Sequence, residues 1–205
     1  MTLFEVTIVI ICVAILAYVF LPVLLRPQHS HGLGCVNRLK QIATAYMVWA
    51  GDNNDKYPMQ VSVTNGGAME LANAGDAAGV FQVMSNELST AIILWCPDDD
   101  GHDYATNWTS DFSAKHISYF AGMDPIQDDP QTVLAGDDNF QFAGHAVNPG
   151  LRMMSTNVFY TWNTNRHHLI GNVAIGDGSV LVLNNQGLTN QLWTTNFSVL
   201  RLAVP

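Results

Sequence analysis

Apolar residues run from Val6 to Leu25 without a charge, a stretch of 20 residues. As a helix it is about 30 Å long, the thickness of a bilayer core. A different pattern starts at Cys35. Val36, Leu39, Ile42, Ala43, Tyr46, Met47 and Ala50 recur at helical spacing and predict an amphipathic helix whose apolar face lies on a sheet. Gly51 and the run Asp52–Asp55 predict its end. Between the two, "RPQHSHGLG" carries Pro27, Gly32 and Gly34, each unfavourable inside a helix, and predicts a break or linker over 26–34.

Beyond Tyr57 the pattern shortens to strand length. "TAIILWC" predicts a buried strand, and "ISYFAG", "TVLAGD" and "NVFYTW" predict further short ones. The clearest hairpin is "NVAIGDGSVLVL", with strands Asn172–Ile175 and Ser179–Leu183 around a Gly-Asp-Gly turn. Residues 60–90 are rich in Gly, Asn and Ala and read as loop with one short helix near Val80–Leu88. A last short helix is expected from Leu188 to about Ser198, ending in "LRLAVP". The fold class is α+β. An apolar helix (1–25), a linker (26–34) and an amphipathic helix (35–57) precede a globular body (58–205) built on an antiparallel sheet.

Charge sharpens this division. The chain carries 8 Lys+Arg and 17 Asp+Glu, a formal net charge of -9. Up to Tyr57 the acids are Glu5, Asp52 and Asp55 and the bases Arg26, Arg38, Lys40 and Lys56, which leaves 14 acids and four bases beyond. Such a body repels phosphate backbones, which argues against nucleic acid as a partner. Only 12% of residues are charged, and Asn, Thr, Ser and Gly are abundant, a composition common in secreted proteins. Cys12 lies in the apolar run and reads as a small hydrophobe. If the polar part is extracytoplasmic, Cys35 and Cys96 are expected to form a disulfide; otherwise they are two buried thiols.

Glu5 is the anomaly of the apolar segment. A secretory signal peptide needs a basic start and a shorter apolar core, and Met-Thr-Leu-Phe-Glu contains no base. A one-pass anchor accounts for the length but leaves a carboxylate beside hydrocarbon. Arg26, Arg38 and Lys40 follow the span and would hold the body in the cytoplasm, against the direction its composition suggests. A basic leader removed from in front of Met1 reconciles the two.

"MTLFEV" resembles the "FTLIEL" start of mature type IV pilins and type II secretion pseudopilins, with Glu5 on the signature glutamate and Pro22 on the helix-kinking proline. "NRLKQIATAY", "WAGDNNDKYP", "WCPDDD", "NRHHLIGNVAIGDGSV" and "VLRLAVP" resemble a pilin-like group found in planctomycete and verrucomicrobial genomes. The resemblance implies a pilin-like fold, with the long N-terminal helix packed on the body. It implies leader cleavage and N-methylation at Met1 by a prepilin peptidase, an assembly ATPase and a platform protein. It implies residence in the inner membrane before assembly into an extracellular filament of identical subunits. Met1, Glu5 and Pro22 are the implied assembly residues. In a dry filament centre the Glu5 carboxylate needs a cation. The α-amino group of Met1 on a neighbouring subunit supplies one, so the pair would set axial register. The alternatives are a pseudopilin of a short periplasmic pseudopilus and a monomeric membrane-anchored binding module.

Candidate chemistry is sparse. Asp98, Asp99, Asp100 and Asp103 in "DDDGHD" form a fragment of a calcium loop without its full spacing or terminal glutamate. A solvated acidic loop is the plainer reading, and "GDDN" (136–139) and "GDNND" (51–55) are similar. Asp98, Asp100 and Asp103 are thus weak calcium candidates, and no other cofactor is expected. His29 and His31 read as linker residues. His167 and His168 read as structural, since adjacent histidines point apart and Asp177 belongs to a turn. Asn107 and Asn196 begin chance-level glycosylation triplets. No serine-hydrolase elbow, phosphate loop, HExxH or catalytic cysteine signature is present, so enzyme activity is not expected.

Overall fold

The computed structural model describes residues 3–24, 31–109, 111–126, 128–155, 158–194 and 199–205. They belong to two units, Met1–Ser30 and His31–Pro205.

The first unit holds helix α1, Leu3–Leu24, which is apolar on every side and so has no single face for a core. Every described side chain from Phe4 to Tyr18 is exposed. The Thr7 hydroxyl donates to the Phe4 carbonyl at 2.8 Å, which satisfies its polarity within the helix. Pro22 lies in the last turn. Among the described residues no helix is long and apolar enough to cross a membrane, so the expected span is not reproduced. Met1 lies outside the described residues.

The second unit begins with helix α2, His31–Asp52. The expected break therefore does not extend to Gly34, and helix resumes at His31 instead of Cys35. Gly32 and Gly34 occupy the first turn, whose N–H groups have no helical partner in any sequence, so weak helix formers are tolerated. Pro27 and His29 lie outside the described residues. At the far end the N–H groups of Asn53 and Asp55 return to the Ala50 carbonyl at 3.0 and 2.9 Å. Asn54 and Asp55 adopt left-handed φ of 56° and 58°, which closes the helix where the acidic run predicts.

Leu39, Ile42, Ala43, Tyr46 and Ala50 are buried as expected, and Trp49 joins them. Met47 is exposed, because the buried stripe follows Leu39, Ile42, Tyr46 and Trp49 and the next position turns about 100° away from it. Three short helices follow: α3 (Met69–Ala74), α4 (Ala77–Val83) and α5 (Ser85–Leu88). The single helix expected near Val80–Leu88 is thus divided, with Asp76 capping α4 through Gly79 N–H at 2.9 Å. "TAIILWC" is not a strand. It forms a 3-10 turn, Ala91–Leu94, whose first and last residues are buried in the cluster that contains α2.

The sheet strands are β1 (Tyr119–Gly122), β2 (Val133–Asp137), β5 (Gly150–Ser155), β7 (Ile170–Ile175), β8 (Val180–Asn184) and β9 (Val199–Val204). They form one antiparallel sheet in the order β5-β9-β1-β2-β7-β8. The short strands β3 (Phe140–Phe142), β4 (His145–Ala146) and β6 (Tyr160–Trp162) form a second sheet in the order β4-β3-β6. Helix α6, Asn185–Thr194, precedes β9. The tail "LRLAVP", expected to end a helix, is instead the strand between β5 and β1.

The two faces of the main sheet bury different residues. Tyr119, Ala121, Ala135, Ala174 and Ala203 belong to the cluster that includes α2, α4 and α5. Phe120, Val173, Ile175, Leu200, Leu202 and Val204 point to the other face, against Phe140, Tyr160 and Trp162 of the small sheet and Leu188 of α6. Small alanines admit the helix backbone closely, while the opposite face is filled by large side chains. A register irregularity between Val133 and Ala135 lets Leu134 and Ala135 both join the helical side.

Candidate functional site

The best-built polar site lies where the loop 95–102 meets the ends of β2 and the turn before β7. The disulfide Cys35–Cys96, with Cα atoms 5.1 Å apart, ties that loop to α2, as expected from the two polar-region cysteines. Three residues beyond Cys35, the Arg38 guanidinium donates to the Trp95 carbonyl and lies 5.2 Å from the centroid of the Trp95 ring. Trp95 Nε1 in turn donates to the carbonyls of Asp99 (3.3 Å) and His102 (3.0 Å) and curls the loop inward. Cys96 N–H donates to Ser118 Oγ at 3.0 Å, just ahead of β1.

Within this frame Asp99, not its exposed neighbour Asp100, is buried. Its Oδ1 accepts from Gly101 N–H at 2.9 Å, and its Oδ2 accepts from His102 Nδ1 at 2.7 Å and from Arg166 Nη2. The other arm of the buried Arg166 guanidinium donates to the Ser118 carbonyl at 2.8 Å and lies 2.7 Å from Asp138 Oδ1. His102 Nε2 faces Asp138 Oδ2 at 3.7 Å. Asp137 is fully buried; its Oδ2 accepts from the N–H and Nδ2 of Asn172, both at 2.8 Å, while Oδ1 has no hydrogen-bond partner among the described residues. One guanidinium thus serves the carboxylates of two chain segments, a charge-assisted arrangement that arginine's fork suits.

Electrostatics separate these carboxyls. Burial alone would raise Asp99, but the bonds from His102 and the charge of Arg166 outweigh it and hold the carboxyl well below the usual range. Burial drives Asp137 up to about 7 despite Arg166 and the Asn172 donors, and it also raises Asp138. The Asp99 bond raises His102 above an ordinary imidazole. His167, by contrast, is lowered by burial, although Asp98 opposes the shift.

His167 points inward and His168 outward, as expected of adjacent histidines. His167 Nδ1 lies 3.0 Å from Asp98 Oδ2; Nε2 lies 3.5 Å from both Cys96 Sγ and Asp137 Oδ2. His167, His168 and Leu169 all adopt left-handed φ (54°, 50° and 67°), a conformation costly for residues with a side chain. Asp177 is instead exposed in the hairpin turn, where Oδ1 accepts from Ser179 N–H at 2.8 Å.

The calcium candidates are not brought together. Asp98 is taken by His167, Asp100 and Asp103 are exposed, and none of the three belongs to a described group able to share an ion. In "GDDN", Asp137 ends β2 and is buried in the core. His102 and Arg166 escaped notice because each borders a conspicuous motif, "DDDG" and "HH". Their only signal was a lone basic or imidazole group in an acidic chain. A cleft of about 650 Å3 opens over the cluster, lined in part by Asp99, His102, Asp138, Asn139 and Arg166.

Of the expected assembly residues, Glu5 sits in the first turn of α1 and Pro22 in its last. No protein-family model, no curated protein and no solved structure matches this chain.

Proposed function

We propose that the chain is a structural subunit of a type IV pilus-like extracellular filament, held together by its N-terminal apolar helices. The observation that carries this reading is α1: every described side chain from Phe4 to Tyr18 is exposed on a helix that is apolar all round. Such a surface has to be covered, and copies of the same helix cover it without a second partner. Glu5 supports the same reading. A carboxylate among packed apolar helices disfavours every register except one that presents a cation, because an unpaired buried charge costs several kcal/mol. The amine created at Met1 by leader cleavage is the cation of the right kind. The disulfide supports an extracytoplasmic body.

The test is electron microscopy of cells and of sheared material, with mass analysis of the N-terminus. Long filaments containing this chain, with a processed and methylated Met1, are the expected result. Glu5→Ala is expected to reduce filament yield at least tenfold while the disulfide-bonded body still accumulates. Normal filaments from that variant would remove the role assigned to Glu5. The absence of any fibre, together with loss of exported enzymes on deletion, would replace the pilus by a secretion pseudopilus.

A further inference from the structure

We propose that Asp99, His102 and Asp138 hold a divalent transition-metal ion of the zinc type, with the amide oxygen of Asn139 as a further donor. One carboxylate oxygen from each aspartate and a ring nitrogen of His102 lie within 4.8 Å of one another. Zinc bonds of about 2.0–2.2 Å set tetrahedral ligands roughly 3.4 Å apart, so the side chains need to close by about an ångström.

Two further features point to a ligand. Asn139 is 5% exposed; its Nδ2 donates to the Arg166 carbonyl at 3.2 Å, which leaves Oδ1 as the acceptor side, and that oxygen has no partner among the described residues. A buried amide oxygen left unpaired is costly, and Asn139 lines the same cleft as the three ligands. Asp138 Oδ1 is 2.7 Å from Arg166 Nη1, and its Oδ2 faces His102 Nε2 at 3.7 Å, so one oxygen of this carboxylate is turned to the imidazole that would share the ion.

The charges agree. Asp99 and Asp138 share the single guanidinium of Arg166, so with His102 as a neutral ligand a metal ion would supply the remaining positive charge. Arg166 would stay in place as an outer partner that orients the carboxylates. The donor set selects the metal. Calcium takes six to eight oxygens, whereas one imidazole with two carboxylates and an amide suits zinc. The cysteines near His167 are not competitors, because both are in the disulfide.

The experiment uses the full chain, stripped with chelator and titrated separately with zinc, calcium and magnesium chlorides. Zinc alone is expected to bind with one-to-one stoichiometry by calorimetry. At a hundredfold excess over Kd it should raise Tm by about 5–10 °C. His102→Gln, at a partly exposed position, should retain the far-UV spectrum and lose the zinc effect, and the exposed His145→Gln should keep it. Cobalt(II) on the wild-type chain gives a second readout that needs no variant: d–d bands without a thiolate charge-transfer band. The proposal is overturned if zinc leaves Tm unchanged, if His102→Gln still responds, or if calcium stabilises as well as zinc.

Discussion

Tyr46 carries its hydroxyl into the core beside Tyr57 and Phe81, where it finds no hydrogen-bond partner among the described residues. Burial pushes its ionisation well above that of an exposed phenol. The ring contributes packing, while the oxygen is a net cost. Tyr46→Phe is therefore expected to leave stability unchanged or to raise it by about 1 kcal/mol at pH 7, measured by urea unfolding. The sign at high pH follows from linkage. The folded-state pKa is raised, so the stabilisation is complete below the unfolded value of about 10 and declines above it. The variant should lose less stability than wild type between pH 10 and 11. Arg166 is the opposite case. Arg166→Met leaves the Asp99 and Asp138 carboxylates buried without their counterion, with an expected loss of about 3–5 kcal/mol. A loss below 1 kcal/mol in the same unfolding assay would show that the cluster is solvated and not a buried ion network.

Between elements, contact distance governs. A Cβ on Gly171 of β7 would lie 2.5 Å from Trp162 Cε3 of β6, so the absence of a side chain lets the small sheet lie on the main one. Gly171→Ala should cost about 1–3 kcal/mol through overpacking, with a change in the near-UV signal of Trp162. The Cys35–Cys96 bond spans 61 residues, and its removal by Cys35→Ala should cost about 4 kcal/mol in the chain-entropy picture, read by differential scanning calorimetry. The parts of the fold legible in the sequence were those with a local code. These were the helical stripe through Leu39 and Tyr46, the Gly-Asp-Gly hairpin, and the strands at 119–122 and 133–137. The misread parts lacked one. "TAIILWC" is apolar throughout, which cannot separate a strand from a buried 3-10 turn. β9 is buried on both faces at Leu202 and Ala203, so it shows little alternation. For the candidate cluster the acidic loops were visible, but Arg166 is 67 positions from Asp99, and only the fold joins them.

For the molecule as a whole, the partition into Met1–Ser30 and His31–Pro205 carries its own expectation. Among the described residues, the buried clusters lie in the second unit. A chain starting at His31 should therefore fold alone, with Tm within a few degrees of the full protein and the disulfide formed, and should stay monomeric in size-exclusion chromatography. If this fragment were unfolded by circular dichroism, α1 would be part of the folding unit and less available for assembly.

The position of β9 has one more implication. In chain order it follows every other strand, yet it lies between β5 and β1 and is the neighbour of β5 in the sheet. While a ribosome is still adding residues 199–204, β5 has nothing to pair with, and β1 has β2 on one flank only. A polypeptide that lacks this strand consequently has an incomplete main sheet, with β5 detached from the strands that follow β1.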